Sequence, residues 1–343
     1  MEQKSVLIGM SGGVDSSVAA ALLKEQGYHV IGATMRLWTY SDSCNMKHEG
    51  CCAESAVEDA RRVCDKLGID FYVMNFKDMF KDKVVDYFVD EYIHGRTPNP
   101  CIACNKYLKF DALLKKALAM GIDYVATGHY AKIEKGEDGK YILRASEAVK
   151  KDQSYVLYNF TQEQLAHTLM PLGGYNKDWV RQKAEELGLG VAHKPDSQEI
   201  CFVEDDDYAK FITDYSGYKP KEGDILDVNG NVIGKHRGLI YYTIGQRKGI
   251  GAYGRPMFVM KIDAENNTIT LGEKGMEFSN ELTAYDVNFV SGEFPKENML
   301  ITAKVRYQAP PAAAMLCPQK DGTVKLMFPE PQRAVTPRQA VVF

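Results

Sequence analysis

Residues 6–23, VLIGMSGGVDSSVAAALL, place an apolar strand, a Ser-Gly-Gly turn and an alanine-rich helix in direct succession. Gly12 and Gly13 carry no side chain that would keep a ligand away from the backbone. The helix that begins near Val14 directs unpaired N–H groups and the positive end of its dipole toward an anion. Hydroxyl donors are added by Ser11, Ser16 and Ser17. The stretch predicts a phosphate cradle; the alternative is a tight turn with Asp15 as helix N-cap.

The turn lacks the Lys-Ser/Thr pair of a Walker A loop, so no lysine of that kind reaches for a γ-phosphate. It resembles the SGGxDS signature of the N-type ATP pyrophosphatases, which cleave ATP between the α- and β-phosphates and leave an adenylylated substrate. Asp15 beside the cradle is a candidate ligand for the Mg²⁺ that accompanies the phosphates. The resemblance implies ATP chemistry without identifying the substrate.

The composition sets outer limits. A chain of 343 residues with 45% hydrophobic content has enough apolar side chains for a sizeable core in two or three domains. No run is long enough to span a membrane, and the start, MEQKSVLIG, lacks the regions of a signal peptide. We therefore expect a cytoplasmic protein without a membrane partner. Its eight cysteines then predict thiols, metal ligands or redox groups rather than disulfides.

The first half of the chain alternates between strand and helix patterns. Strands are predicted at 5–10, 29–35, 71–76 and 123–128, and helices at 15–26, 54–67, 78–94 and 106–120. This alternation predicts an α/β doubly wound parallel sheet, in which ligands bind beyond the carboxyl ends of the strands. Met35 and Gly128 fall at such ends.

The second half is richer in short strands. Asn229-Gly230 and Asn266-Asn267 are typical of hairpin turns. Strands without intervening helices predict small β-rich modules, with a β-barrel at the C-terminus. The predicted domains are 1–205, with the parallel sheet, 206–275, a central β-rich domain, and 276–343, the barrel.

A second distinctive segment is GRTPNPCIACNKYLKF, residues 95–110. Two prolines around Asn99 hold a stiff, extended path. Cys101 and Cys104 bring two thiols together just ahead of a helix whose N-terminus would lower their pKa. A redox dithiol, half of a zinc site and buried unreactive thiols are all compatible with this spacing. No second CxxC follows; a solitary Cys201 lies in KPDSQEICF instead.

Seven ordered motifs together resemble the tRNA-specific 2-thiouridylases, which install sulfur at C2 of the wobble uridine. They are SGGVDSS at 11–17, GCC at 50–52, RTPNPCIACNKYLKF at 96–110, ATGHYA at 126–131, KDQSYVLY at 151–158, DSQEICF at 196–202 and TIGQRKGIG at 243–251. The similarity runs along nearly the whole chain.

The resemblance implies a role for each matching position. The ATP site comprises Gly9, Met10, Ser11, Gly12, Gly13, Val14, Asp15, Ser16, Met35 and Gly128. Cys104 matches the nucleophile and Cys201 the sulfur-carrying cysteine. Asn99 matches the segment that meets the target base, and further tRNA contacts are Lys151, Asp152, Gln153, Arg306 and Tyr307.

The residues are compatible with these roles. The C2 oxygen of uridine is a poor leaving group, so adenylylation converts it into AMP, which a sulfur nucleophile then displaces. The net charge of −4 does not itself favour a nucleic-acid partner, so a local basic surface is needed. Arg247-Lys248, in a glycine-rich loop, is the best candidate for tracking phosphates. The expected partners are tRNA and a sulfur donor: a cysteine desulfurase, a relay protein or inorganic sulfide.

One departure from the family pattern bears on the mechanism. The better-studied members of the family carry Asp where this chain has Cys101. Cys101, Cys104 and Cys201 therefore predict three converging thiolates, one short of the four that usually hold a 4Fe–4S cluster. We favour this cluster over a persulfide on Cys201 that Cys104 releases. For Cys44, His48, Cys51 and Cys52, structural thiols are favoured over a zinc site.

Two other functions are compatible with the loop. One is an adenylylating ligase for a small molecule, such as an amidotransferase or argininosuccinate-type synthetase, which leaves the three cysteines without a role. The other is a non-catalytic nucleotide-binding or iron–sulfur scaffold. Turnover of ATP that depends on tRNA would exclude both.

Overall fold

The computed structural model describes residues 3–38, 54–196, 200–203 and 206–343. The chain divides into two compact units. Unit 1 comprises Met1–Val84, Cys101–Phe202 and Asn288–Glu293, and unit 2 comprises Val85–Pro100, Val203–Val287 and Phe294–Phe343. The domain boundaries at 205 and 275 stay a prediction.

Unit 1 contains the parallel sheet that the sequence predicts. Its strands are β1 (Ser5–Gly9), β2 (His29–Arg36), β3 (Asp70–Asn75), β4 (Tyr124–Ala126), the hairpin β5 (Ala131–Lys135) and β6 (Tyr141–Ala145), and β7 (Thr168–Leu169). The five-stranded sheet has the order β3-β2-β1-β4-β7, and every neighbouring pair in it is parallel. The carboxyl ends of β1, β2 and β4 therefore lie at one edge.

The helices follow in chain order. They are α1 (Val14–Glu25), α2 (Glu54–Leu67), α3 (Lys77–Phe80), α4 (Tyr87–Ile93), α5 (Pro100–Ala103), α6 (Leu113–Ala119), α7 (Gln162–Ala166), α8 (Lys177–Glu186) and α9 (Tyr208–Ser216). Wider π-helical turns at Lys81–Asp86 and Cys104–Ala112 link α3 to α4 and α5 to α6. The predicted helix at 106–120 in fact begins at Pro100, where proline loses no intrahelical hydrogen bond.

Helix α1 lies in the core of unit 1. Its residues from Val18 to Leu23 are buried, and they pack with β1 and with Val180 and Ala184 of α8. Alanine side chains are short, so the helix can approach the sheet closely. The core therefore fixes the start of α1 at the carboxyl edge of the sheet.

Unit 2 is built mainly of two antiparallel-rich sheets. The first contains β8 (Gly223–Leu226), β9 (Val232–His236), β10 (Met257–Asp263) and β11 (Thr268–Glu273), in the order β10-β11-β8-β9. The second contains β12 (Phe278–Ala284), β13 (Met299–Ala303), β14 (Ala312–Pro318) and β15 (Val324–Arg333), in the order β12-β15-β14-β13. Both predicted hairpins are confirmed, with Gly230 at φ 87° and Asn267 at φ 49° in their turns.

Within the described ranges, none of the helices is both long enough and apolar enough to cross a membrane.

Candidate active site

The loop between β1 and α1 has the geometry of a backbone cradle. Strand β1 ends at Gly9, and the Met10 N–H donates to the Ala33 carbonyl at 2.8 Å. Gly12 has φ 70° and lies against the Ala56 carbonyl, so a Cβ would clash there. Gly13, the N-cap of α1, has no side chain to occupy the first N–H groups of the helix. The loop therefore leaves its helix N-terminus available to an anion.

The serines of the loop do two different things. The Ser16 and Ser17 hydroxyls donate to the Gly13 carbonyl at 3.2 and 2.8 Å, and both side chains are buried. Ser11 is exposed, with its Oγ 3.2 Å from that of Ser16. Ser16 and Ser17 therefore close the loop from inside, and Ser11 is the exposed hydroxyl beside it.

Asp15 lies in the first turn of α1, so the alternative that makes it the N-cap is wrong. Tyr130 Oη donates to Asp15 Oδ1 at 2.7 Å, and Lys177 Nζ bonds both carboxylate oxygens at 2.7 and 2.8 Å. Burial and the neighbouring Asp15 charge raise the pKa of the Tyr130 phenol. The phenol is therefore a neutral donor that orients the carboxylate.

Asp196 collects three cations. Its carboxylate lies 2.7 Å from both Lys177 Nζ and Lys151 Nζ and 3.1 Å from the Arg181 guanidinium. Burial alone would raise the pKa of Asp196, but hydrogen bonds from Lys151 and Lys177 outweigh it and lower that pKa to about 2. Lys177 thus connects the cradle residue Asp15 with the start of the DSQEICF motif.

Gly128 lies against the first turn of α1. A Cβ at this position would be 2.7 Å from the Ser16 nitrogen and 2.8 Å from the Asp15 carbonyl carbon. Met35 is half-buried near the end of β2, paired with Met74 of β3. At Gly9 a Cβ would meet only ordinary contacts, 3.7 Å from the Thr127 methyl group. Packing therefore restricts position 128 to glycine but does not restrict position 9.

Residues 151–153, Lys-Asp-Gln, are held in place by hydrogen bonds between their side chains and neighbouring residues. Gln153 Oε1 accepts from the Tyr130 N–H at 2.9 Å. Asp152 accepts from the Ser146 N–H at 2.8 Å and from the Ser154 hydroxyl at 2.6 Å. With Lys151 on Asp196, all three side chains that the family resemblance assigns to tRNA have protein partners here.

The cysteines occupy different environments. Cys101 lies in α5 rather than ahead of a helix, so that part of the prediction is wrong. Cys101 and Cys201 are exposed and Cys104 is buried. Beside Cys104, the Asn105 amide donates to the Val156 carbonyl at 3.1 Å, which ties this turn to the 154–157 segment.

The described residues contain no group of three or more His, Cys, Asp or Glu side chains placed to hold a metal ion. The predicted convergence of Cys101, Cys104 and Cys201 is therefore not seen in this arrangement. Cys44, His48, Cys51 and Cys52, and residues 197–199 of the DSQEICF motif, lie outside the described residues.

In unit 2, Arg247 and Lys248 are exposed on the loop that follows Gln246. The Gln246 amide bonds the Thr243 N–H at 2.9 Å and the Lys248 carbonyl at 2.9 Å, which closes the loop. Arg306 Nη2 donates to the Ile244 carbonyl at 2.9 Å and to Thr336 Oγ1. Arg306 therefore supports this loop, and Tyr307 beside it is exposed.

Sequence reasoning missed Lys177, Tyr130 and Arg181. Lys177 and Arg181 lie one turn apart on α8, a spacing that the sequence displays but that carries no specific signal. Tyr130 belongs to the quoted ATGHYA motif, and its position within that motif was the available clue.

Three family models match consecutive parts of the chain. A tRNA methyl transferase HUP domain matches residues 4–205, a tRNA methyl transferase PRC-barrel domain matches 209–273, and an aminomethyltransferase β-barrel domain matches 279–343. Together they span both the α/β and the β-rich parts of the fold.

Similar proteins extend over the full chain. The tRNA-specific 2-thiouridylase MnmA of Acetivibrio thermocellus is 58% identical, covering 100% of this chain and 96% of that protein. That of Clostridioides difficile is also 58% identical, covering 99% of this chain and 94% of that protein. That of Clostridium botulinum strain Alaska E43 is 56% identical, covering 100% and 95%. The chain therefore belongs to the tRNA-specific 2-thiouridylase family.

Proposed function

We propose that this chain uses ATP to place sulfur at C2 of the wobble uridine of tRNA. The full-length similarity to 2-thiouridylases, at 58% identity, carries this proposal. The C2 oxygen attacks the α-phosphorus of ATP, and pyrophosphate leaves. A sulfur nucleophile then attacks C2 and displaces AMP, which takes the oxygen with it.

The cradle and its surrounding cations support the ATP step. The N–H groups at the start of α1 are available to phosphate oxygens. Nearby, two carboxylates, Asp15 and Asp196, bond three cationic side chains: Lys177, Lys151 and Arg181. The group therefore has a net charge of one positive unit. This excess favours a polyanion at the cradle and stabilises the charge that develops on pyrophosphate as it leaves.

Asp15 is our proposed ligand for Mg²⁺, since carboxylate oxygens are the ligands this ion prefers. Both oxygens of Asp15 are bonded to Lys177 in this structure. Binding of the ion to Asp15 therefore requires Lys177 to release at least one of them. Lys177 is then free to contact a phosphate oxygen while it keeps its bond to Asp196.

For tRNA, we propose that Asn99 meets the target base and that the exposed Arg247 and Lys248 contact phosphates. Lys151 exchanges Asp196 for a phosphate when tRNA binds. Asp152 and Gln153 shape that segment through their bonds to Ser146 and Tyr130. Arg306 holds the loop of residues 243–249, which carries Arg247 and Lys248, through its bond to the Ile244 carbonyl. The exposed Tyr307 contacts the nucleic acid.

For sulfur, the sequence favours a 4Fe–4S cluster on Cys101, Cys104 and Cys201, but the described residues do not gather these thiols, so we derive no step through it. In the persulfide route, the terminal sulfur on Cys201 attacks C2, and Cys104 then attacks Cys201 Sγ. The sulfur–sulfur bond of the persulfide breaks, a Cys104–Cys201 disulfide forms, and a dithiol reductant restores both thiols.

Replacing Cys101 with Asp separates the two routes. A cluster enzyme should lose bound iron and fail with inorganic sulfide, because a hard oxygen replaces a soft thiolate. A persulfide enzyme should tolerate the change. The measurements are the iron and sulfide content and the visible spectrum of anaerobically purified protein, with thiolation assayed in parallel. Full activity of iron-free Cys101→Asp protein would exclude the cluster.

The function itself is tested with purified protein, unmodified tRNA, ATP and a sulfide source. We expect 2-thiouridine in the digested tRNA and release of AMP and pyrophosphate only when tRNA is present. Release of AMP without tRNA would instead favour a small-molecule ligase. No turnover under any condition would favour a nucleotide-binding scaffold.

A further inference from the structure

Glu91, on α4 in unit 2, is a buried carboxylate shared by two arginines. Its side chain is 5% exposed. Arg96 Nε donates to Glu91 Oε2 at 2.5 Å, and Arg338 Nε lies 3.2 Å from the same oxygen. A buried carboxylate is costly unless charges and hydrogen bonds compensate it. The two arginines supply that compensation, so Glu91 is fixed between the chain near Arg96 and the C-terminal segment near Arg338.

Arg96 is the first residue of the RTPNP segment, residues 96–100. Its backbone N–H donates to the Glu91 carbonyl at 2.9 Å, so both its backbone and its side chain are attached to Glu91. Pro98 and Pro100 are buried, and proline fixes its own φ. The segment is therefore stiff, and its direction depends on how its first residue is anchored.

The C-terminal segment that carries Arg338 is also held in a specific conformation. Arg338 has φ 69°, in the left-handed region that is unfavourable for a residue with a side chain. Its guanidinium lies 5.4 Å above the Tyr285 ring as well as near Glu91. The next residue, Gln339, donates from Nε2 to the Thr97 carbonyl at 2.6 Å. Surrounding contacts maintain this backbone strain, as expected where a conformation is used.

We propose that Glu91 is a positioning residue for the base-contacting segment 96–100. It touches no substrate and acts through Arg96. Arg338, in the C-terminal segment, is the second arginine bound to the Glu91 carboxylate. The inference rests on the proposed function in one respect, since Asn99 in this segment is the residue expected to meet the target base. Loss of the Glu91 charge should leave tRNA binding intact and misplace the target base.

Glu91→Gln tests this, because it keeps the shape of the side chain and removes the charge that holds both guanidinium groups. We expect kcat for thiolation to fall about tenfold or more, with KM for tRNA within about twofold, since small misplacements act on the chemical step. Trypsin should also cut the Arg96–Thr97 bond of the native protein about tenfold faster, because cleavage requires local opening. The fragment 1–96 is quantified by mass spectrometry.

Glu91→Asp keeps the charge on a shorter side chain. Its kcat for thiolation and its rate of trypsin cleavage should lie between those of the wild-type protein and Glu91→Gln. The control is Glu281→Gln, which removes an exposed ion pair with Lys325 in the same unit and should change neither. If Glu91→Gln does not fold, Arg338→Gly removes one guanidinium while relieving the left-handed φ. A smaller acceleration of cleavage is then expected.

Unchanged cleavage at Arg96 in a folded variant would overturn the proposal. Faster cleavage with unchanged kcat would overturn it as well, because the segment would then not need this anchor. If the wild-type protein does not thiolate tRNA at all, the proposed function fails. The cleavage rates would still show whether Glu91 anchors the segment.

Discussion

At the scale of single residues, the site depends on charges that are shared rather than paired one to one. Lys177 bonds Asp15 and Asp196 at once, and Asp196 also receives Lys151 and Arg181. A shared cation can give up one partner without losing the other. A change at Asp15 therefore also changes the surroundings of Asp196, because both carboxylates bond Lys177.

Asp196→Asn should lower stability in a pH-dependent way. The pKa of Asp196 is about 2 in the folded protein, below its ordinary value of 3.8, so its stabilisation is present above about pH 4 and lost as the pH falls toward 2. The shift corresponds to about 2 kcal/mol at neutral pH. Urea unfolding of both proteins should differ by that order at pH 6 and converge near pH 2. A difference independent of pH would show that the Asp196 charge is not responsible.

Gly128→Ala should weaken ATP binding without unfolding the protein. The new Cβ would lie 2.7 Å from the Ser16 nitrogen, so the start of α1 must shift. We expect an ATP affinity lower by about tenfold or more, equivalent to about 1.4 kcal/mol, in calorimetric titration. The control is Gly174→Ala, where a Cβ meets nothing within 4 Å. Equal affinities in the two variants would contradict this packing argument.

At the scale of elements, the loop of residues 243–249 combines a hydrogen-bonded backbone with exposed charges. Gln246 and Arg306 bond its backbone, while Arg247 and Lys248 project from it. A loop fixed in this way presents its cations at little further cost in backbone entropy. It is therefore suited to contact phosphates along a polyanion.

Replacing Arg247 and Lys248 with alanine should flatten the salt dependence of tRNA binding. Each lost phosphate contact lowers the slope of log K against log salt by about 0.7 to 0.9, because fewer counterions are released. The slope is measured by filter binding at several salt concentrations. Arg255→Ala serves as a control, since Arg255 is paired with Glu273 at 2.7 Å. An unchanged slope in the double variant would remove this loop from the tRNA surface.

At the scale of the whole molecule, the predicted contacts with tRNA lie in both compact units. Lys151 belongs to unit 1, whereas Asn99, Arg247 and Tyr307 belong to unit 2. A folded RNA holds its phosphates in a fixed arrangement, so several of them can be contacted together. A short linear RNA of the same sequence would offer fewer simultaneous contacts.

ATP turnover should therefore require the folded anticodon arm. We expect AMP release with intact tRNA or an anticodon stem-loop, and a loss of about tenfold or more with an unstructured oligonucleotide of the same loop sequence. AMP is measured by chromatography at fixed ATP. Equal rates with the unstructured oligonucleotide would show that base identity alone is recognised.

Local sequence determined much of this protein. The strand, glycine turn and helix of residues 6–23 specify the cradle, because backbone freedom at Gly12 and the helix start are properties of a few consecutive residues. The Asn229-Gly230 turn specifies a hairpin for the same reason. The positions of the first four strands along the chain, and their alternation with helices, were also predictable from the periodicity.

Only the tertiary structure decided which charges meet. Lys177 and Asp15 are 162 positions apart, and Glu91 joins Arg96 to Arg338 near the other end of the chain. No local periodicity encodes such pairs, since they depend on how the sheets and helices pack. The predicted gathering of Cys101, Cys104 and Cys201 is not seen among the described residues and stays a prediction, because local sequence does not set the distance between segments that are far apart in the chain.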